Sequence, residues 1–263
     1  PIGSIYGTVV DGVYNYSDFA AFDGLSATQA AEKMRQDAAD QGIAYYDLTY
    51  TLRDGVVTSA GVGNLDLYRP GMPKYADLNG DGVANNDDRT IIGNTQPKHF
   101  GGFTNNFKYK SFDFSILTQW SYGNDVYNKT RRKAESLSIP YFNKYATVAD
   151  RWTPENSDTD IAGIWGFGDN RLGSNPYSIH IEDGSYIRIS NITLGYTLPK
   201  DISSEIGVKR FRLYCAVDNA FLFTKYKGFD PDVSVGNNQL TPGLDADSYP
   251  RARTFRFGLN VGF

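Results

Sequence analysis

An all-β fold, specifically a section of an antiparallel transmembrane β-barrel with long extracellular loops, is predicted by three observations. The C-terminal residues alternate without a break between apolar and polar. Several earlier segments repeat that rhythm. The connections between them alternate short and long.

The 263 residues include three Trp, 19 Tyr and 16 Phe beside 27 Gly, two Met and two His, an aromatic excess that favours strands. Mean hydropathy is −0.44, and no run approaches the roughly 20 apolar residues of a membrane helix. A membrane barrel escapes that test, because its strands alternate faces and their apolar content averages away. The formal charge of −4, without a basic stripe, argues against nucleic acid as a partner. The lone Cys215 can form neither an internal disulfide nor a multi-thiolate metal site, so it reads as a packing residue. The N-terminal sequence Pro1-Ile2-Gly3-Ser4 carries neither Met nor a signal-like segment, which suggests a piece of something longer.

The last strand, residues 253–263, sets the frame. Phe255, Phe257, Leu259, Val261 and Phe263 alternate with Thr254, Arg256, Gly258, Asn260 and Gly262, so one face is apolar and the other polar or bare. The length suits a tilted membrane strand of about 9–11 residues. A one-residue slip would turn Arg256 into lipid at roughly 2–4 kcal/mol near the midplane.

Residues 103–109 and 112–122 read as a hairpin closed at Lys110-Ser111. Phe103, Phe107, Tyr109, Phe112, Phe114, Ile116, Trp120 and Tyr122 share its apolar side. Tyr109, Trp120 and Tyr122 lie near strand ends, where amphipathic rings suit the lipid boundary. Residues 185–198 and 209–223 are two further strands. In the first, Ile187 and Ile189 oppose Ile192, Leu194, Tyr196 and Leu198, which either a bulge near Ser190-Asn191 or an outer half that projects beyond the membrane would explain. The short links, 110–111 and 199–208, would be periplasmic turns, and residues 123–184 and 224–252 outer loops. Residues 1–100 would lie largely outside the membrane as a loop region with one helix, Ala27–Gln41, which Ser26 or Thr28 would cap and Gly42 would stop.

Residues 77–88 match a calcium loop. Asp77, Asn79, Asp81 and Asn85 offer side-chain oxygens, Val83 its carbonyl and Asp88 the closing carboxylate, while Gly82 permits the sharp turn. Asp88 reaches less far than the usual Glu, and no incoming helix precedes Asp77, so the loop is EF-hand-like and any calcium structural. The competing reading is a polar turn without an ion. His99 and His180 lack ligand spacing to each other or to Cys215. No nucleophile elbow, phosphate loop or dinucleotide fingerprint occurs, so no catalysis is expected.

The sequence resembles the SusC/RagA family of TonB-linked outer-membrane transporters in its C-terminal portion. The resemblance is carried by residues 74–82 with Asp88-Arg89 and Ile92-Gly93, by 109–115, and by Arg151-Trp152-Thr153-Pro154-Glu155-Asn156. It continues through 182–188, 191–199, Lys225-Tyr226-Lys227-Gly228-Phe229-Asp230-Pro231 and 249–255. It implies the C-terminal part of a 22-stranded TonB-dependent barrel with an N-terminal plug. Such a barrel imports oligosaccharides or peptides with a SusD-like surface lipoprotein, driven by TonB through an N-terminal part that this chain lacks. The remaining barrel and plug segments would complete the sheet edges, and outer-membrane lipid would wet the apolar face. Arg256, Asn260, Asp113 and Gln119 would face the pore. Trp152, Trp165, Phe167 and Tyr177, in the outer loop, could meet a sugar or the lipoprotein; the competing reading for each ring is packing within the loop. The alternative is a soluble extracellular β-sandwich that binds glycans and carries a calcium-stapled loop.

Overall fold

The computed structural model describes residues 3–59, 68–137, 143–163, 176–205, 207–233 and 242–263. The fold is mostly β with few helices, and among the described residues no helix is long and apolar enough to cross a membrane. Two compact units form, one from residues 3–93 and 127–181, the other from residues 94–126 and 182–263.

The second unit is built on one antiparallel sheet of five long strands: β1 (His99–Tyr109), β2 (Phe112–Tyr122), β3 (Tyr186–Thr197), β4 (Arg210–Thr224) and β5 (Thr254–Gly262). Their order is β5-β4-β3-β2-β1, so each strand pairs with its neighbour in sequence. Lys110 closes the first hairpin with a positive φ of 51°, which lets two residues reverse the chain.

Register carries the alternation of single strands across the sheet. One apolar row runs Tyr109, Phe112, Tyr196, Leu213, Leu259; the next runs Phe107, Phe114, Leu194, Cys215, Phe257. The opposite face carries Lys108, Asp113, Gly195, Tyr214 and Gly258 in one row, and Asn106, Ser115, Thr193, Ala216 and Arg256 in the next. The predicted bulge is present, because the pairing of β3 shifts between Ile189 and Asn191. It returns Ile187 and Ile189 to the side of Ile192 and Leu194. On β4 the apolar side is kept from Val217 to Phe221, with an extra residue and a positive φ at Asn219.

The apolar rows are uncovered. Phe257 is 84% exposed, Leu259, Phe107 and Phe255 are more than half exposed, and Phe221 is half exposed. A soluble sandwich would bury them against a second layer. Trp120 donates to His99 at 3.3 Å and the His99 and Tyr122 rings stack at 5.0 Å, so these three rings gather at one end of the apolar face.

The first unit is folded around rings. Helix α1 (Ala27–Gln41) begins at Ser26, whose hydroxyl accepts from the Gln29 amide while the Gln29 side chain accepts from the Ser26 amide. It ends at Gly42 in the left-handed region. Its buried stripe is Ala30, Ala31, Met34 and Ala38. Small side chains allow close approach, and Tyr14, Tyr16, Phe19, Phe22, Leu48, Tyr68 and Trp152 fill the same core. Edge-to-face pairs such as Tyr14 with Tyr68 at 5.2 Å and Tyr16 with Trp152 at 5.5 Å each add about 0.5–1.5 kcal/mol beyond area burial. Two short pairings fasten the surrounding loops: Val10–Val13 with Pro73–Tyr75, and Thr58–Ser59 with Val83–Ala84.

Candidate transport face and loop sites

Alternation brings the predicted pore-facing residues to one face, and their neighbours there are mostly countercharges. Asp113 sits one row from Arg212, whose Nε donates to its Oδ1 at 3.0 Å. The pair lies over Gly195, where a β-carbon would come within 2.6 Å of the Asp113 carboxylate and the Arg212 guanidinium. Glycine is therefore required there by close approach. Arg256 pairs with Asp218 at 2.8 Å, and Asp218 also accepts from Asn191 at 2.7 Å. Gln119 accepts from the Ser190 hydroxyl at 2.6 Å, and Asn260 stands opposite Arg212. Arg212 and Asp218 stand in the sequence only as polar residues of a strand, with nothing beside them to mark a pairing. Their partners lie 99 and 38 residues away in sequence, so no local signal names them.

At the far end of the same face, Arg188 on β3 forms a buried pair with Asp230 at 2.5 Å, the side chains 3% and 6% exposed. Arg251 adds contacts to Asp230 at 3.5 Å and to Asp232 at 2.6 Å, and the Asp232 amide donates to Asp230 at 2.9 Å. The two buried charges are thus matched, as burial demands, although Arg188 Nε is left without a hydrogen-bond partner among the described residues. Nearby, the Tyr226 hydroxyl donates to buried Asp245 and the Lys227 amide to Glu182 at 2.9 Å. The stretches at both ends of the β4–β5 connection are therefore held by side chains.

The EF-hand-like loop satisfies itself. Asp77 accepts from the Gly80 and Gly82 amides, each at 2.7 Å, Asn79 from Asp81 and Asp81 from Val83, both at 2.8 Å. Buried Asp88 accepts from Leu78, Asn79 and Asn85, and those backbone N–H groups hold its carboxyl below the usual range, Asn85 contributing most. The Val83 carbonyl accepts from the Asn85 side-chain Nδ2 at 3.1 Å. Among the described residues no three His, Cys, Asp or Glu side chains are grouped to hold a metal. Each carboxylate oxygen accepting a single N–H keeps a lone pair, so an ion would require these oxygens to turn inward together.

Two of the four ring candidates are corrected. Trp152 is 2% exposed and Tyr177 0%, so neither offers a face to a ligand. Trp152 packs on Tyr16 and Gly71 while its amide bonds Ile161. Tyr177 stacks on Tyr75 at 5.7 Å with the Arg132 guanidinium over its ring. Trp165 and Phe167 lie outside the described residues.

His180 is wholly buried, its Nε2 3.7 Å from the Glu135 carboxylate. Burial first, then the charges of Arg131 and Arg132, push its pKa down to about 3. The unfolded chain takes the proton near pH 6.5, so no stability is lost above that value. As pH falls from 6.5 toward 3, only the unfolded state gains the proton and stability declines. About 2 kcal/mol is expected to disappear between pH 7 and pH 5. Denaturant unfolding followed by the fluorescence of Trp152 checks it, and His180→Phe should flatten the dependence.

No protein-family model matches the chain. It is 40% identical to TonB-dependent receptor P26 of Formosa agariphila over 73% of its length and 20% of that protein's. It is 32% identical to TonB-dependent receptor P39 of the same organism over 100% of its length and 25% of that protein's. Against TonB-dependent receptor SusC of Bacteroides thetaiotaomicron the identity is 33%, over 72% of this chain and 17% of that one. The chain thus spans a quarter or less of the curated relatives it matches. Among solved structures, a chain of the RagAB peptide importer in its 'open-open' state superposes with a TM-score of 0.60 at 19% identity, over 99% of this chain and 22% of that one. The RagAB peptide transporter matches with a TM-score of 0.57 at 24% identity, over 71% and 20%. Such relatives are receptors and transporters and not enzymes, and the exposed apolar rows above a charge-paired polar face suit their membrane. The chain belongs to the SusC/RagA family of TonB-dependent receptors of the outer membrane.

Proposed function

We propose that β1 to β5 are the C-terminal strands of the barrel of a SusC-like, TonB-dependent importer, closed to 22 strands by the rest of the polypeptide. The observation that carries this reading is the uncovered apolar face backed by ion pairs. Lipid would wet the first, and the second would line the pore, with Asp113, Gln119, Arg256 and Asn260 facing passing solute. Two bare sheet edges cannot persist in hydrocarbon, so further strands must flank β1 and β5. On this reading the Lys110 turn and the link from β3 to β4 are periplasmic, and residues 1–100 and the loop of residues 123–184 belong to the extracellular side. A SusD-like lipoprotein would work on that side, TonB would drive the cycle through the plug, and the cargo would be an oligosaccharide or a peptide. Trp165 and Phe167 are the ring candidates for contact with cargo or lipoprotein. Electrophoresis of the full-length protein with and without heating tests the barrel reading. A closed barrel resists detergent until boiled and migrates faster unheated. Identical mobility, with extraction in buffer alone, would favour the soluble glycan-binding module.

Calcium in the loop of residues 77–88 is proposed as a structural staple with Asp77, Asn79, Asp81, Val83, Asn85 and Asp88 as ligands. The oxygen-rich spacing supports it. The expected result is one bound calcium by metal analysis, lost in Asp77→Ala and Asp81→Ala; unchanged metal content in both rejects the site.

A further inference from the structure

The apolar side of the sheet is not level near the two short links. In the row closest to them Phe112, Tyr196, Leu213 and Leu259 are register neighbours, and in the next row Cys215 stands between Leu194 and Phe257. Cys215 is the shortest side chain of those two rows, so the surface dips over β4 between β3 and β5, which lie two strand spacings or about 10 Å apart. The result is a groove of about 540 Å³. The Phe112 and Tyr196 rings, paired at 4.8 Å, form one wall, Phe257 and Leu259 the other, and partly buried Cys215 lies at the base. The short links carry Lys110, Lys200 and Lys209, all exposed, which outnumber the acids there, Asp201 and Glu205. Among the described residues none of the three lysines joins an ion pair, and Lys110 Nζ lies 5.5 Å from the centre of the Tyr109 ring, in the same apolar row as Phe112 and Tyr196.

We propose that this groove seats one acyl chain of a glycerophospholipid whose phosphate is met by the lysines of the short links. The proposal rests on the barrel reading, and it names one held lipid where that reading needs only a fluid one. A level apolar wall touches a hydrocarbon chain on one side, whereas a groove touches it on three, and dispersion attraction grows with the number of contacts. Lysines at a membrane boundary lay their stems on apolar surface and carry their ammonium groups to the polar layer, where phosphate lies. The two rows are about 7 Å apart along the strands, well within half of a hydrocarbon core about 30 Å thick. The groove therefore belongs to the leaflet on the side of the links, the periplasmic one. A lipid of the other leaflet would keep its headgroup at the opposite end of the strands, away from these lysines.

Native mass spectrometry of the full-length protein in detergent tests it. When delipidated protein is titrated with palmitoyl-oleoyl phosphatidylglycerol, one lipid should bind ahead of the rest. Cys215→Phe fills the groove and keeps the surface apolar; it should weaken that first step about tenfold or more, since each methylene displaced is worth about a fourfold preference. Lys110→Glu/Lys209→Glu should weaken the same step, and should do so more for phosphatidylglycerol than for diacylglycerol with the same chains. Ile187→Phe, at the far end of the same side and 52% exposed, should leave it unchanged. No distinct first lipid, or one held equally tightly in Cys215→Phe, would overturn the seat. So would an unchanged first step in the lysine variant, whatever Cys215→Phe does to insertion, or equal loss in Ile187→Phe. A dimer that covers the groove and separates in Cys215→Phe with no lipid released would assign it to a second copy of the chain and overturn the lipid. Heat-modified mobility of each preparation reports the barrel separately: a wild-type protein that keeps it without a first lipid refutes the groove alone, and one that never shows it refutes the barrel reading and the seat together.

Discussion

Arginine at Phe257 is expected to abolish stable insertion of the full-length protein, with a loss of roughly 2–4 kcal/mol for one charge near the bilayer midplane. Phe257 lies in the row of Phe107, Phe114, Leu194 and Cys215 and is 84% exposed, so the substitution crowds nothing in the sheet. Its effect must come from the medium on that side. A matched Thr104→Arg places the same charge on the opposite face, also at an exposed site, and should cost less than about 1 kcal/mol, as exposed polar sites do. Refolding into lipid vesicles with a denaturant series gives both numbers, and the fraction of unheated fast-migrating protein gives a second reading. Equal, small effects at the two positions would mean that water, not hydrocarbon, lies against Phe257.

The contrast between those positions was visible in the sequence because a strand presents its faces at a period of two. Five alternating residues in β5 therefore state their own orientation. The bulge of β3 was visible for the same reason, since Ile187 and Ile189 fall on the wrong side of Ile192 unless one residue is added. Partners were not visible. Asp113 and Arg212 meet because β3 lies between β2 and β4, and nothing in either strand encodes that adjacency. The first unit was least visible, for irregular chain has no period from which to read burial. Trp152 and Tyr177 sit in such stretches, and a large ring there fills a core as readily as it meets a ligand. The helix was the exception, its capping box at Ser26 and Gln29 and its stop at Gly42 being local signals.

Removing Asp230 should loosen the end of the sheet that adjoins the β4–β5 connection. Arg188 is 3% exposed and its partner 6%, so Asp230→Ala strands a guanidinium where water cannot replace the lost carboxylate. Breaking a buried pair by removing one partner costs about 3–5 kcal/mol. Arg251, already bonded to Asp232, cannot substitute, because it carries the same sign as the charge left behind. The expected outcome is rapid proteolysis within residues 225–253 in intact cells or detergent, with the sheet retained as judged by heat-modified mobility. Arg188→Met combined with Asp230→Leu removes both charges and keeps comparable volume, and it should recover most of the resistance, since an apolar replacement for a buried pair is often neutral. If the double variant is cleaved as fast as Asp230→Ala, the pair acts through its geometry: Asp230 orients the Asp232 amide and Arg251 as well as Arg188, and a leucine does neither. If the single variant resists cleavage like the wild type, the connection is held by Tyr226 with Asp245 and Lys227 with Glu182, and the ion pair contributes little to fixing it.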